Sequence, residues 1–155
     1  MTDFGIRVGA VVERDGALLL VRHQKPDREP YWVLPGGRLE PGETIPACAE
    51  RELAEEARIR AEFSGVLYVS EFMDDGRHTV DVTVRATVAP GEEAALGSDP
   101  EVQEGSEQTL VELRWVALGE LAEIALLPPW IRDRIIQDSG REPGHEVYLG
   151  GGGDR

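Results

Sequence analysis

The residues best suited to chemistry lie between Gly37 and Ile59, where a glycine-containing turn leads into a segment rich in glutamate. A helix placed from Ile45 to about Ile59, advancing about 100° per residue, gathers Glu52, Glu55 and Glu56 within an arc of about 100°. Like charges at these spacings destabilise a helix by roughly 0.2–0.5 kcal/mol per pair, and carboxylates near its C-terminus oppose the macrodipole. A hard divalent cation reverses that penalty. Mg²⁺ prefers carboxylate and carbonyl oxygens, keeps several waters and is often shared with substrate phosphates. Arg51, on the same helix, has the fork geometry to hold a carboxylate such as Glu43 and fix its orientation.

The helix start is written locally. Pro41-Gly42 is a turn dipeptide, the Thr44 hydroxyl can accept a free amide proton of the first turn, and Pro46 sits where no amide is missed. Ile45, Ala49, Leu53 and Ala57 form an apolar stripe suited to packing on a sheet. In front of the helix, Gly36 and Gly37 allow backbone to approach a ligand closely. Tyr31 to Leu34 reads as a short strand delivering the chain into that turn, with Trp32 in the core.

The remaining elements follow from periodicity and turn residues. Arg7–Val12 and Ala17–Arg22 are expected to pair as antiparallel strands around Asp15-Gly16, a strong hairpin signal. His23 to Pro30 is a polar, basic loop within reach of phosphate or base. Glu62–Phe72 and His78–Ala89 read as strands. Val80, Val82, Val84, Ala86 and Val88 alternate with polar residues, the pattern of one buried face. His78 is expected to be a turn residue. Pro90 to about Gln108 is a long acidic loop, a length that is usually functional or mobile. Leu110–Val116 is a strand, and Pro128-Pro129 opens a helix reaching about Asp138.

Composition bounds the function. A chain of 155 residues fits one domain able to bury a core without disulfides. The single cysteine, Cys48, excludes an intrachain disulfide and fits a buried small side chain. No stretch is long and apolar enough for a membrane span, so a soluble cytoplasmic protein is expected. A net charge of −14 argues against binding a nucleic acid polymer. That charge is uneven. Residues 1–38 carry six basic groups, Arg7, Arg14, Arg22, Lys25, Arg28 and Arg38, against five acidic ones, which leaves −15 on the rest. A polyphosphate would meet its favourable field near this N-terminal third, where Arg7, Arg22, Lys25, Arg28, Gly37 and Arg38 are candidate substrate-binding residues.

Gly37, Glu43, Arg51, Glu52, Leu53, Glu55 and Glu56 stand at the offsets of a Gly-x5-Glu-x7-Arg-Glu-Leu-x-Glu-Glu pattern, preceded by Leu34-Pro35-Gly36-Gly37. This stretch resembles the signature box of the Nudix hydrolases, of MutT type. The resemblance extends over roughly residues 5 to 138 and implies an α+β class, the Nudix fold, with a mixed β-sheet sandwiched between α-helices. It implies one domain over 1–138; the remaining 139–155, ending in the glycines Gly150 to Gly153, reads as a flexible tail in which Val147-Tyr148-Leu149 could dock on the body or on a second subunit. One box position departs: Arg58 stands where the family places glycine. Either the helix runs on by a residue, or Arg58 accepts a left-handed exit at roughly 1–2 kcal/mol.

The same resemblance implies that Glu52 and Glu56 are the main ligands of Mg²⁺ (or Mn²⁺), with Glu55 a further ligand, the Gly36 carbonyl a candidate ligand, and Arg51 with Glu43 the orienting pair. It implies one more carboxylate, for metal or for activating water, in this region: Glu104 or Glu107 of the acidic loop is favoured over Glu101 and over Glu112 in the next strand. The implied reaction is metal-dependent attack of water on a phosphoanhydride in a nucleoside diphosphate linked to another moiety. Nucleoside triphosphates, oxidised ones included, and ADP-ribose are the leading substrates, and a homodimer is compatible. No Ser-His-Asp or Cys-His arrangement competes. Two other readings stay open: a non-catalytic module that binds a nucleotide and regulates a partner, and a prenyl-diphosphate isomerase.

Overall fold

A computed structural model describes residues 2–98, 109–139 and 147–152. The chain runs β1 (Asp3–Val11), β2 (Glu13–Arg14), β3 (Ala17–His23), β4 (Tyr31–Val33), β5 (Gly36–Arg38), α1 (Ile45–Ala57), β6 (Ala61–Asp74), β7 (Arg77–Val88), β8 (Leu110–Ala117), a 3-10 helix (Leu118–Glu123), α2 (Pro129–Asp138) and β9 (Tyr148–Gly152). The class is α+β, as expected. Five strands form a mixed sheet in the order β5-β1-β7-β6-β9, with β1 parallel to β7 and antiparallel to β5. A second sheet is built on β3, which pairs with β2, β4 and β8.

Alternation along the strands builds two cores. Val8, Ala10 and Val12 with Val82, Val84 and Ala86 face Cys48, Ala49, Leu53 and Ala57 of α1. Val11, Leu18, Leu20, Trp32, Leu67 and Tyr68 meet Leu121 of the 3-10 helix and Ile131 and Ile135 of α2. Helices therefore cover opposite sides of the strands. No helix among the described residues is long and apolar enough to cross a membrane.

The first hairpin differs from expectation. Asp15 and Gly16 do turn, both at positive φ (51° and 75°), but only Glu13 and Arg14 pair with β3. The preceding strand crosses into the other sheet instead, between β5 and β7. Val8 and Ala10 of this strand, with Val12 just after it, pack into one core and Val11 into the other, an environment that an edge hairpin cannot give.

His78 is not an unpartnered turn residue. Its Nε2 lies 2.7 Å from Glu71 Oε2, and Tyr148 donates its hydroxyl to Glu71 Oε1 at 2.8 Å. The His78 hydrogen bond, then that from Tyr148, holds the Glu71 carboxyl below the usual range. Tyr148 belongs to β9, which runs parallel to β6, and the Val69 amide donates to the Val147 carbonyl, so Val147 and Tyr148 dock on the body as the sequence allowed.

Candidate functional site

Helix α1 begins and ends as local chemistry dictates. Thr44 accepts from the Ala47 amide at 3.2 Å, with Pro46 in the first turn. At the other end Arg58 takes the left-handed conformation, φ 54° and ψ 35°, and its amide donates to the Leu53 carbonyl. Of the two exits open to it, the chain uses the strained one.

The acidic face is organised by Arg51. Its Nε and Nη2 grip Glu43 at 2.6 and 3.1 Å, while Nη1 reaches Glu52 Oε1 at 2.9 Å and Glu55 Oε2 at 3.2 Å. Nη2 also donates to the Arg38 carbonyl at 3.2 Å, tying α1 to β5. The Arg51 hydrogen bond holds the Glu43 carboxyl down to about 2, and Arg51 in turn is held protonated well above its ordinary value, chiefly by Glu43. Cys48 lies beside this group but is buried, and burial first, then Glu43, pushes its thiol up to about 12. It is a packed side chain, not a nucleophile.

Glu52 and Glu56 are 4% and 3% exposed, which for carboxylates demands compensation. Glu56 Oε1 accepts the Gly36 amide at 2.7 Å. Both glycines of the turn are required by contact. A Cβ at Gly37 would collide with the Glu52 carboxylate, and one at Gly36 with the Val8 carbonyl. Gly36 and Gly37 belong to β5 rather than to a free loop, paired to Gly9 and Val8.

A cleft of about 440 Å³ opens in front of this turn. It is lined by Gly36, Gly37 and Glu56 and by Arg7, Lys25, Arg28 and Arg38, so most of the basic residues singled out in the sequence converge there. Arg7 donates to the Leu34 carbonyl at 2.9 Å, and a Cβ at Gly9 would come within 2.9 Å of its Nη1. Arg38 similarly lies over Gly5 and reaches Asp3 at 2.9 Å, which keeps the Asp3 carboxyl below its ordinary value. The glycines of β1 thus leave space that guanidinium groups fill.

Arg22 is not in this cleft. It pairs with Glu112 at 3.2 Å and lines a separate cavity of about 410 Å³ with Trp32 and Arg114. The reason is strand alternation: His23, one residue on, faces the cleft and Arg22 points to the other side. Glu112 also accepts from Arg114 at 2.6 Å, and Arg114, then Arg22, keeps its carboxyl low. Glu101, Glu104 and Glu107 lie outside the described residues. His23, which opens the segment expected to reach phosphate or base, lines the cleft, whereas Asp3, Tyr31, Arg77, Thr79 and Thr109, which also line it, were missed. For Thr79 the alternation of strands was an available signal; for the rest the register between strands had to be known.

The segment after β7 was expected to be a long loop, functional or mobile, but its anchoring was not foreseen. The amides of Ala95, Gly97 and Ser98 donate to the carbonyls of Ala57, Glu56 and Glu55 at 2.9, 2.8 and 3.0 Å. These are carbonyls that the end of α1 leaves without helical partners. A Cβ at Gly97 would collide with the Glu55 carbonyl, so this close approach needs glycine.

Among the described residues no group of three or more His, Cys, Asp or Glu side chains forms a ready-made metal cage. The three glutamates share a face, but Glu55 is turned to Arg51 while Glu56 is held at Gly36. Two buried hard-oxygen donors beside an open cleft nevertheless fit Mg²⁺, which takes one or two carboxylates and completes its shell with water and phosphate.

Comparison with known proteins agrees with this geometry. A family model for the NUDIX domain matches residues 3–138. The chain is 43% identical over 54 residues to the 8-oxo-dGDP phosphatase NUDT18 of Homo sapiens, covering 35% of this chain and 17% of that protein. It is 29% identical over 89 residues to an ADP-ribose pyrophosphatase of Methanocaldococcus jannaschii, covering 56% and 53%. The matched stretches thus span well under two thirds of either relative. The structure superposes on a NUDIX hydrolase from Nitrosomonas europaea with a TM-score of 0.71 at 22% identity, over 99% of this chain and 81% of that one. The box residues, the fold that holds them and a match over nearly the whole chain lead to one conclusion: the chain belongs to the Nudix hydrolase family.

Proposed function

We propose that this protein is a Mg²⁺-dependent (or Mn²⁺-dependent) pyrophosphohydrolase that cleaves a phosphoanhydride in a nucleoside diphosphate linked to another moiety. The observation that carries the reading is the pair of buried carboxylates, Glu52 and Glu56, set against the double-glycine turn at the edge of a cation-lined cleft. Glu52 and Glu56 would hold the metal, with Glu55 beside them. The ion, when bound, neutralises phosphoryl oxygens and lowers the pKa of water.

The chain's own residues do the rest. Arg51 orients Glu43, Glu52 and Glu55 through a single guanidinium, so the carboxylates keep their positions despite their mutual repulsion. The Gly36 amide fixes Glu56. Arg7, Lys25, Arg28 and Arg38 bind and align the phosphates. The amides of Ala95, Gly97 and Ser98 anchor the described start of the acidic loop at the carbonyl end of α1, and Glu104 or Glu107, further along the sequence, is the candidate to bind metal or to accept a proton from water.

Relatives named for an 8-oxo-dGDP phosphatase and an ADP-ribose pyrophosphatase support both nucleoside polyphosphates and ADP-ribose as substrates to test. The test is product analysis with Mg²⁺ in ¹⁸O-labelled water over nucleoside triphosphates, their oxidised forms, nucleoside diphosphates and ADP-ribose. Label entering one phosphorus of one substrate supports the reading and identifies the phosphorus attacked. No release from any of them leaves a nucleotide-binding module as the better account.

A further inference from the structure

The cleft has an aromatic wall that the phosphate chemistry above does not use. His23 and Tyr31 are cross-strand partners between β3 and β4, and their rings stack with centroids 5.7 Å apart and planes 18° from parallel. Thr109 Oγ1 lies 2.9 Å from His23 Nδ1 and fixes the imidazole. The Arg28 guanidinium carbon stands 4.2 Å from the Tyr31 ring centre, and Lys25 Nζ 6.0 Å from it. All five residues line the cleft that holds Glu56.

A guanidinium laid over a ring is a flat group on a flat surface. A nucleobase has the same shape requirement and stacks on any exposed π-face, whatever its sequence of donors and acceptors. Arg28 is long and jointed, and it sits on the loop between two strands of the wall, so it can leave the ring for an arriving phosphate without moving the sheet.

We propose that Tyr31, braced by His23 and Thr109, is the platform on which this cleft stacks a nucleobase, with Arg28 as the cover that the base displaces toward the phosphates. This rests on the nucleotide reading above. It makes Tyr31 the residue that separates nucleotides from polyphosphates without a base.

Titration calorimetry of the full chain in EDTA tests the proposal without turnover, using ATP and GTP against inorganic tripolyphosphate. Aromatic stacking of a base corresponds to about 5- to 150-fold in affinity. The wild type is expected to bind the nucleotides about 10-fold or more tighter than tripolyphosphate. Tyr31→Leu should remove at least about 5-fold of nucleotide affinity and change tripolyphosphate by less than about twofold, while Tyr31→Phe keeps the preference. Arg28→Gln, which leaves the ring in place and removes its cover, should weaken tripolyphosphate more than ATP, so the ratio rises. That variant decides the matter should Tyr31→Leu fail to fold by circular dichroism. Absent nucleotide binding, no preference in the wild type, equal losses on both ligands, or an unchanged or falling ratio in Arg28→Gln would overturn the proposal. The hydrolysis reading fails separately, on the absence of Mg²⁺-dependent products.

Discussion

The two walls of the cleft are built by opposite means. The acidic side comes from one helix: α1 brings Glu56 to the cleft and carries Arg51, Glu52 and Glu55 in the same six residues, with Glu43 two residues before the helix starts. The basic wall is assembled from β1, the loop after β3, β5 and the start of β7, bringing Arg7, Lys25, Arg28, Arg38 and Arg77 together from far apart in the chain. A helical face is set by its own period, whereas a wall of strands depends on register and on which face each residue takes. The acidic wall should therefore respond to substitution as a coupled unit, and the basic wall residue by residue.

The largest effect is expected at Glu56. Glu56→Gln should keep the fold and lower Mg²⁺-dependent turnover by about 100-fold or more, read from initial rates beside a thermal melt. A rate near wild type would remove the acidic wall from the chemistry.

Arg51→Met comes next, since it frees three carboxylates together. A charge-assisted pair of this kind contributes about 1.5–3 kcal/mol. The pH dependence has a definite sign. Glu43 is depressed in the folded state, from 4.5 to about 2, so its contribution is full above 4.5 and is lost as pH falls toward 2. Denaturant melts between those pH values should show that decline in the wild type and a flatter profile in the variant.

At Gly97→Ala the added Cβ meets the Glu55 carbonyl, and a loss of about 1–3 kcal/mol is expected, with the Ala95, Gly97 and Ser98 amides exchanging faster by NMR. On the basic wall, Arg7→Gln should raise KM about 10-fold, while Arg22→Gln, on the opposite face of its sheet, should change it by less than about twofold. Equal effects of the two would dissolve the distinction between the faces. The smallest effect is a gain: Arg58→Gly relieves a left-handed residue and should stabilise by about 1 kcal/mol, visible as a rise in Tm.

What could be read from the sequence was whatever repeats along a single element. The Thr44 cap, the span of α1, the buried alternation of Val82, Val84 and Ala86, and the grip of Arg51 on Glu43 are all local or nearly so. The hairpin at Asp15-Gly16 was legible as a turn, yet nothing in it announced that the chain changes sheets at Val12, between β1 and β2.

The amino-acid order by itself determined the acidic face and the glycine turn, because helix periodicity and turn chemistry act over a few residues, and it carried the box spacing on which the resemblance to the family rests. Only the tertiary structure decided which arginines face the cleft, that Ser98 and its neighbours finish α1, that Tyr148 closes on Glu71, and that Tyr31 stands among the phosphate-facing cations. Those outcomes depend on pairing between distant strands, where a shift of one residue turns every side chain to the other face.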